Sequence, residues 1–385
     1  LRLAIHLTPL WLTNTRFVQC LVCLCLLLQG LTLNSVCFAD NAALDKVSIQ
    51  LKWQHSFQFA GYYAAIEKGF YREAGLEVKL KEINFNKSIV RQVLDGESEY
   101  GVSDGSLLIN HLNADPVVVV NQIFQHSPLI FISRRDSGII SPYEMIGKKV
   151  AYNITGNGDA APLSALLLKT LGGTQKIKAA KFESTHLQDL INGKIDVVSA
   201  YLTSQPFQYL QQGLEINIIN PQSYGIDFYG DNFFTSRQEL ETHPDRVKKI
   251  SEASIKGWQY ALANPDEIID LIIAKYDAKL SKKLLEYEAK TTREMILPDV
   301  ITLGSIDPNR YRQSAEDYLR LGLSTHAQVK PEFFYQTTEP PQDDSIALSP
   351  EDRQWLIAHP VIRLTGDPNW LPYEAFDANG KHIGM

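Results

Sequence analysis

The stretch "LKWQHSFQFAGYYAAIEKGFYREAGLEV" (51–78) gathers Trp53, Gln54, His55, Gln58, Tyr62 and Tyr63 into one junction between a strand-like run and a helix-like run. Rings beside amides and hydroxyls suit a small, flat, polar ligand, and they equally suit a core in which Tyr62 and Tyr63 pack a helix onto a sheet. Further along, "GVSD" ends on Asp104, "VVSAY" ends on Tyr201, and "SYGIDFYGDNFF" brings Tyr229, Asp231 and Asn232 together. A carboxylate in such company accepts hydrogen bonds from an amine, and the amides fix its orientation. The turn "YNITGNGDAAP" follows a strand and opens a helix. Asn153, Thr155, Gly156, Asn157 and Asp159 therefore belong to a segment whose backbone amides face a polar or anionic group. It lacks the G-K-[ST] ending of a nucleotide loop.

Other chemistries find no residues to carry them. The nine histidines have no metal-binding spacing such as HExxH, and no G-x-S-x-G elbow is present. All four cysteines (Cys20, Cys23, Cys25, Cys37) lie in the first forty positions. That segment carries Arg2 and Arg16, the apolar run "FVQCLVCLCLLLQGLTL", and Cys37 and Ala39 before Asp40. It reads as a secretory signal peptide over 1–39. The remaining chain then has no thiol for a disulfide, a metal or a nucleophile. Export of a cysteine-free body suits a periplasm. The net charge of −7 and the lack of a basic stripe disfavour a nucleic-acid partner. With 385 residues, 44% hydrophobic and 21% charged, the chain is an ordinary soluble composition with room for two or three domains.

The elements that would position these residues alternate from Val47 to about Asn220: strands at "VSIQLKW", "LEVKLKEI", "YGVS", "PVVVVNQIF", "PLIFIS", "KKVAY", "KIKAAKF" and "IDVVSAY", with helices between several of them. Such alternation predicts parallel α/β sheets. "SPYE" (141–144) has the form of a capping box with proline in the first helical position. In open α/β sheets ligands sit beyond the carboxyl ends of strands. Lys52 and Trp53, Asp104, 153–159 and Tyr201 all follow strands and would edge one cleft. "LDGESEYGVSD" and "INGKIDVVSAY" share a helix–glycine–strand pattern 97 residues apart, which suggests two similar lobes. After Asn220 three helical patterns follow, and "TTEPPQDDSIALSPED" reads as a linker.

The quoted stretch, with "VLDGESEYGVSD", "YGIDFYGDNFFT" and "GWQYALANPDE", resembles the thiamine-pyrimidine-precursor branch of periplasmic ABC-transporter substrate-binding proteins. That group includes the fungal synthase of hydroxymethylpyrimidine phosphate. The resemblance covers roughly 46–323. It implies an α/β, two-lobe type II periplasmic-binding fold that closes on an aminopyrimidine, with Trp53 as the ring at the end of the first strand. It places 155–159 where the synthase cradles a cofactor phosphate, and Asp104 where the synthase carries its cofactor lysine. The synthase's cysteine cluster is missing too, so the resemblance implies binding with no cofactor and no catalysis. Lys52 is the one nearby lysine that a pyridoxal-phosphate reading would have to use.

"LSPEDRQWLIAHPVIRLTGDPNWLPYEAFDANGKHIGM" resembles the opening of a family-3 solute-binding domain, as found in tandem in membrane sensor kinases, with Pro368, Trp370, Pro372 and Tyr373 as its aromatic-proline pattern. The expected organisation is therefore signal peptide 1–39, binding domain 46–323, linker 324–349 and a truncated second domain 350–385. The chain begins at Leu1 and ends at Met385, and is expected to be a piece of a longer receptor. Its partners would be the ligand and either the receptor's membrane portion or an ABC permease.

Overall fold

A computed structural model describes residues 43–152, 160–181, 186–277 and 279–335, with a few positions beyond them (354–355, 358, 369–370 and 374–375). The chain forms two units, Leu1–Tyr335 and Gln336–Met385. In the second, Asn369–Trp370 pairs antiparallel with Glu374–Ala375. The expected signal segment 1–39, the turn residues 153–159, the expected linker beyond Tyr335 and most of the expected second domain lie outside the described residues.

The first unit holds two five-stranded sheets. One is built from β1 (Asp45–Gln50), β2 (Leu76–Lys81), β3 (Tyr100–Ser103), β4 (Val117–Gln122) and β10 (Asn232–Ser236), in the order β2-β1-β3-β10-β4. The other is built from β5 (Leu129–Arg134), β6 (Lys149–Tyr152), β7 (Lys178–Lys181), β8 (Val197–Tyr201) and β9 (Ile216–Ile219), in the order β7-β6-β8-β5-β9. The sheets are mixed, which corrects the expectation of all-parallel pairing. In the first, β10 runs antiparallel between β3 and β4. In the second, β5 runs antiparallel between β8 and β9. Both reversals arise where the chain changes lobes, because each of these strands arrives from the opposite direction. The internal echo has a structural counterpart: β3 and β8 occupy the same middle place in their sheets. The glycine before each, Gly96 and Gly193, has positive φ (75° and 68°), a backbone conformation that costs glycine little.

Local chemistry explains the elements. β4 reads VVVVNQ and is buried along its whole length, as a strand covered on both faces should be. The expected capping box forms at Ser141 and Glu144, with Pro142 in the first turn, but the element it opens is a single 3₁₀ turn, Pro142–Met145. The helix Pro244–Ala263 buries Val247, Ile250, Ser251, Ser254, Gly257, Trp258 and Ala261 at helical spacing. It crosses the helix Ala60–Glu67 closely, because glycines meet there. A Cβ on Gly257 would stand 2.1 Å from the Gly61 carbonyl oxygen.

The first unit does not stop at Leu323. Phe333 and Phe334 are buried against Tyr311, and the Tyr335 amide donates to the Val119 carbonyl at 2.8 Å. Residues 324–335 thus complete the core of the first lobe, where the sequence suggests linker. His111 stacks on Phe333 at 4.4 Å and accepts from the Lys330 amide at 3.1 Å. Burial presses its pKa down to about 4, so it is a neutral packing residue.

Two segments join the lobes and bond to each other. The Ser127 amide donates to the Phe228 carbonyl at 2.9 Å, and the Gly230 amide to the Phe124 carbonyl at 3.1 Å. Gly230 is required by close approach, since a Cβ there would lie 2.4 Å from the His126 carbonyl oxygen. Gln122 ties the pair from below, its side-chain amide donating to the carbonyls of Phe124 at 2.7 Å and Asp231 at 3.1 Å.

Candidate functional site

The carboxyl ends of β1, β3 and β8 meet beside the second joining segment. Four side chains converge there: Lys52, two residues beyond the end of β1; Asp104, just after β3; Tyr201, the last residue of β8; and Asp231, just before β10. The Lys52 ammonium donates to Asp104, to the Tyr201 hydroxyl at 2.5 Å and to Asp231 Oδ1 at 3.3 Å. The Tyr201 hydroxyl in turn donates to Asp231 Oδ1 at 3.3 Å. Gln58 donates to the other oxygen of Asp231 at 2.5 Å. Asp104 is held from behind: its Oδ1 accepts from the Ser106 amide at 2.9 Å, and its carbonyl accepts from the Asn232 side chain at 2.8 Å. The group is nearly closed to solvent, with Lys52 at 11% and the Asp231 side chain at 3% exposure.

Electrostatics follow from that burial. Burial disfavours the Lys52 ammonium, but Asp104, Asp231 and Tyr201 together outweigh it and hold the lysine charged well above its ordinary range. Asp104 is also disfavoured by burial, yet Lys52 and Ser106 bring its pKa below the usual carboxylate value. Burial, added to by the charge of Asp104, leaves Asp231 above that value despite its bonds to Lys52 and Gln58. Two carboxylates pushed apart around one cation at the strand ends make this cluster the candidate site.

The expected site residues divide into groups. Asp104, Tyr201, Asp231, Asn232 and Gln58 come together in this cluster. Trp53 stands next to Lys52, partly exposed, with its ring edge-on to Phe85 at 5.4 Å. Tyr62 and Tyr63 face inward: Tyr62 packs against Phe233 and Trp258, and Tyr63 against Tyr276 at 4.2 Å. Tyr229 lies in the core of the first lobe against Tyr311 at 4.8 Å, with the Arg310 guanidinium 4.2 Å over its ring. A helix whose buried face carries two tyrosines in succession has room for neither in the cleft. Asn153, Thr155, Gly156, Asn157 and Asp159 lie outside the described residues. Lys52 is expected at the cleft edge from the sequence but is given no ligand role there. Its signal is a charge immediately after the apolar strand "VSIQL", where a buried partner is obligatory. Among the described residues no group of three or more His, Cys, Asp or Glu is placed to hold a metal ion.

Comparison with known proteins fits this geometry. The family model described as "NMT1/THI5 like" matches residues 56–268. The chain belongs to that family. It is 26% identical over 255 residues to the formylaminopyrimidine-binding protein of Halalkalibacterium halodurans, covering 62% of this chain and 73% of that protein. It is 25% identical over 241 residues to the riboflavin-binding protein RibY of Chloroflexus aurantiacus, covering 60% and 68%. Among solved structures, the alkanesulfonate-binding protein SsuA of Xanthomonas axonopodis pv. citri, bound to MOPS, superposes with a TM-score of 0.61 at 11% identity, over 77% of this chain and all of that one. The two-lobe periplasmic-binding-protein fold expected from the sequence is therefore the fold of this NMT1/THI5-like protein. The two named relatives and the SsuA neighbour are substrate-binding proteins.

Proposed function

We propose that the cleft between the lobes binds a small aminopyrimidine of the thiamine-precursor type outside the cytoplasm. The observation that carries this reading is the buried cluster of Lys52, Asp104, Asp231, Tyr201 and Gln58 at the strand ends. Once the second lobe and its Tyr201 draw back, it offers donors and acceptors to a compact polar ligand, with Trp53 at its side to stack on a flat ring. Two carboxylates against one ammonium leave it short of positive charge. A sulfonate brought to 4 Å from a carboxylate would meet a repulsion of about 4 kcal/mol at an effective dielectric constant of 20. The cleft is thus ill suited to the oxyanions that proteins of this fold take elsewhere. The name of the formylaminopyrimidine-binding relative supports the same ligand class.

Closure of the lobes on the ligand would be read by an ABC permease, as for an uptake component. A second reading, the sensory part of a membrane receptor, is supported by the continuation of the chain past Tyr335 into a second unit. Titration calorimetry on the full chain with 4-amino-2-methylpyrimidine, riboflavin, taurine and nitrate tests the ligand class. Binding of the aminopyrimidine in the micromolar range, and none of the anions, is expected. Binding of taurine or nitrate in preference to the pyrimidine would defeat the proposal.

A further inference from the structure

An ammonium has three protons and no lone pair, and in this cleft all three are spent, on Asp104, Asp231 and Tyr201. The Tyr201 hydroxyl spends its own proton on Asp231 Oδ1. The donors of the network and both lone pairs of Asp231 Oδ1 are thus taken, so a ligand that must accept from Lys52 can do so only by taking the place of a member. Tyr201 is the member that can leave. Lys52, Asp104, Asp231 and Gln58 all belong to the first lobe or its joining segment, while Tyr201 stands at the end of β8 in the second lobe. Its withdrawal frees two things at once: one Lys52 proton and one lone pair on Asp231 Oδ1. The two atoms are 3.3 Å apart. A donor beside an acceptor at that spacing is the complement of an acceptor beside a donor. A ring nitrogen next to an exocyclic amine presents that edge, in the way side-chain amides read the edge of adenine.

We propose that Lys52 and Asp231 are the specificity-determining pair that reads the amino-and-ring-nitrogen edge of the ligand, and that the Tyr201 hydroxyl holds their place until the ligand arrives. This rests on the pyrimidine reading of the cleft and adds the residues and the edge. Asp104 keeps the Lys52 ammonium in position throughout and does not touch the ligand. Tyr201 is then a competitor of the ligand for Lys52 and not one of its contacts, which has an unusual consequence: deleting the hydroxyl should help.

Calorimetry on the full chain, its Tyr201→Phe and Lys52→Met variants, with 4-amino-2-methylpyrimidine and 2,4-dimethylpyrimidine, separates the cases. The wild-type protein should prefer the amino compound by about tenfold or more, the worth of one or two hydrogen bonds in a buried site. Tyr201→Phe should bind it about threefold to tenfold more tightly, since the hydroxyl's competing bonds to Lys52 and Asp231 are gone. Lys52→Met should lose most of the preference between the two compounds. Unchanged or weaker binding by Tyr201→Phe overturns the proposal, and so does a Lys52→Met protein that keeps the preference. Should Lys52→Met fail to fold with its two carboxylates unpaired, the Tyr201→Phe result decides alone. If the wild-type protein binds neither pyrimidine, the function proposed above falls with it. If it binds both equally, that function stands and the edge-reading pair falls.

Discussion

Glu288 is a buried carboxyl group outside the cluster whose ionisation bears on stability. It sits on the helix Lys282–Ile296, buried to 4% exposure, and one of its oxygens accepts from the Phe57 amide at 2.8 Å. Burial raises its pKa to about 8, the Phe57 bond opposing only in part. The folded state therefore holds a proton that the unfolded chain releases near its ordinary value of 4.5. Stability linked to that proton is fully present below the ordinary value and is lost as pH rises through about 8. Glu288→Gln keeps an oxygen for Phe57 and never ionises. Urea denaturation at pH 5 and pH 9 should find the variant close to wild type in acid and more stable in alkali, by ~4 kcal/mol at one pKa unit per 1.36 kcal/mol. A stability difference that does not grow between the two pH values would show Glu288 to be solvated in the native protein. Asp104 and Asp231 differ from Glu288 because a cation stands between them. The paired lysine draws Asp104 down while Asp231, deeper and bonded to a neutral amide, is left raised.

At the scale of elements, the crossing of Ala60–Glu67 with Pro244–Ala263 fixes where the first strand ends, and so where Lys52 stands. Gly257→Ala would drive a methyl to 2.1 Å from the Gly61 carbonyl and 2.7 Å from the Ala65 Cβ. Overpacking of this kind costs about 1–3 kcal/mol, with the upper end expected because backbone cannot swing aside. Gly96→Ala is a useful contrast: open space surrounds it, but its φ is +75°, so the left-handed conformation alone should cost about 1 kcal/mol. Thermal melts of the two variants should rank Gly257→Ala as the more damaging, and the reverse order would mean the helices can part cheaply. Much of this architecture is legible in the sequence. Alternating strands and helices, the SPYE box and the 97-residue echo are local patterns, and local patterns read well. The antiparallel insertion of β10 is not local: Asn232 pairs with Ser103 and Gln122 far back in the chain, and "NFFTS" alone says nothing about where it goes. Gln205–Gln211 and Ile216–Ile219 are too short to announce themselves. The site follows the same rule. Asp104 and Tyr201 are legible because they end strands, whereas the cluster that joins Lys52 to Asp231 spans 179 residues and exists only once both sheets are built.

For the whole molecule, Ala161 and Ala165 of the second lobe pack into the core of the first, and among the described residues two further contacts border the cleft. One is the pair of joining segments. The other is a short run of the second lobe, Tyr201 to Phe207, resting on the first. Tyr201 reaches Lys52, the Leu202 carbonyl accepts from the Tyr287 hydroxyl at 3.0 Å, and the Thr203 carbonyl accepts from the Thr291 hydroxyl at 3.3 Å. The Phe207 and Tyr287 rings stack at 5.3 Å with a 24° interplanar angle. Tyr287 and Thr291 lie four residues apart, on one face of the helix Lys282–Ile296, so that helix is the seat on which the second lobe closes. The seat is small. Beyond the bonds of Tyr201 to Lys52 and Asp231, one ring stack and two neutral hydrogen bonds add about 1–3 kcal/mol, enough to bias the closed arrangement of a protein that must admit and release a ligand. Tyr287→Ala removes the stack and one of the bonds while leaving the joining segments untouched. The closed-to-open ratio should then fall by about tenfold, in keeping with ~1.4 kcal/mol per decade. Small-angle X-ray scattering of the ligand-free protein should register this as a larger radius of gyration, and 4-amino-2-methylpyrimidine should restore a good part of the difference. Identical scattering from variant and wild type would mean that the joining segments alone set the angle between the lobes, and that Tyr287 only decorates a closure it does not control.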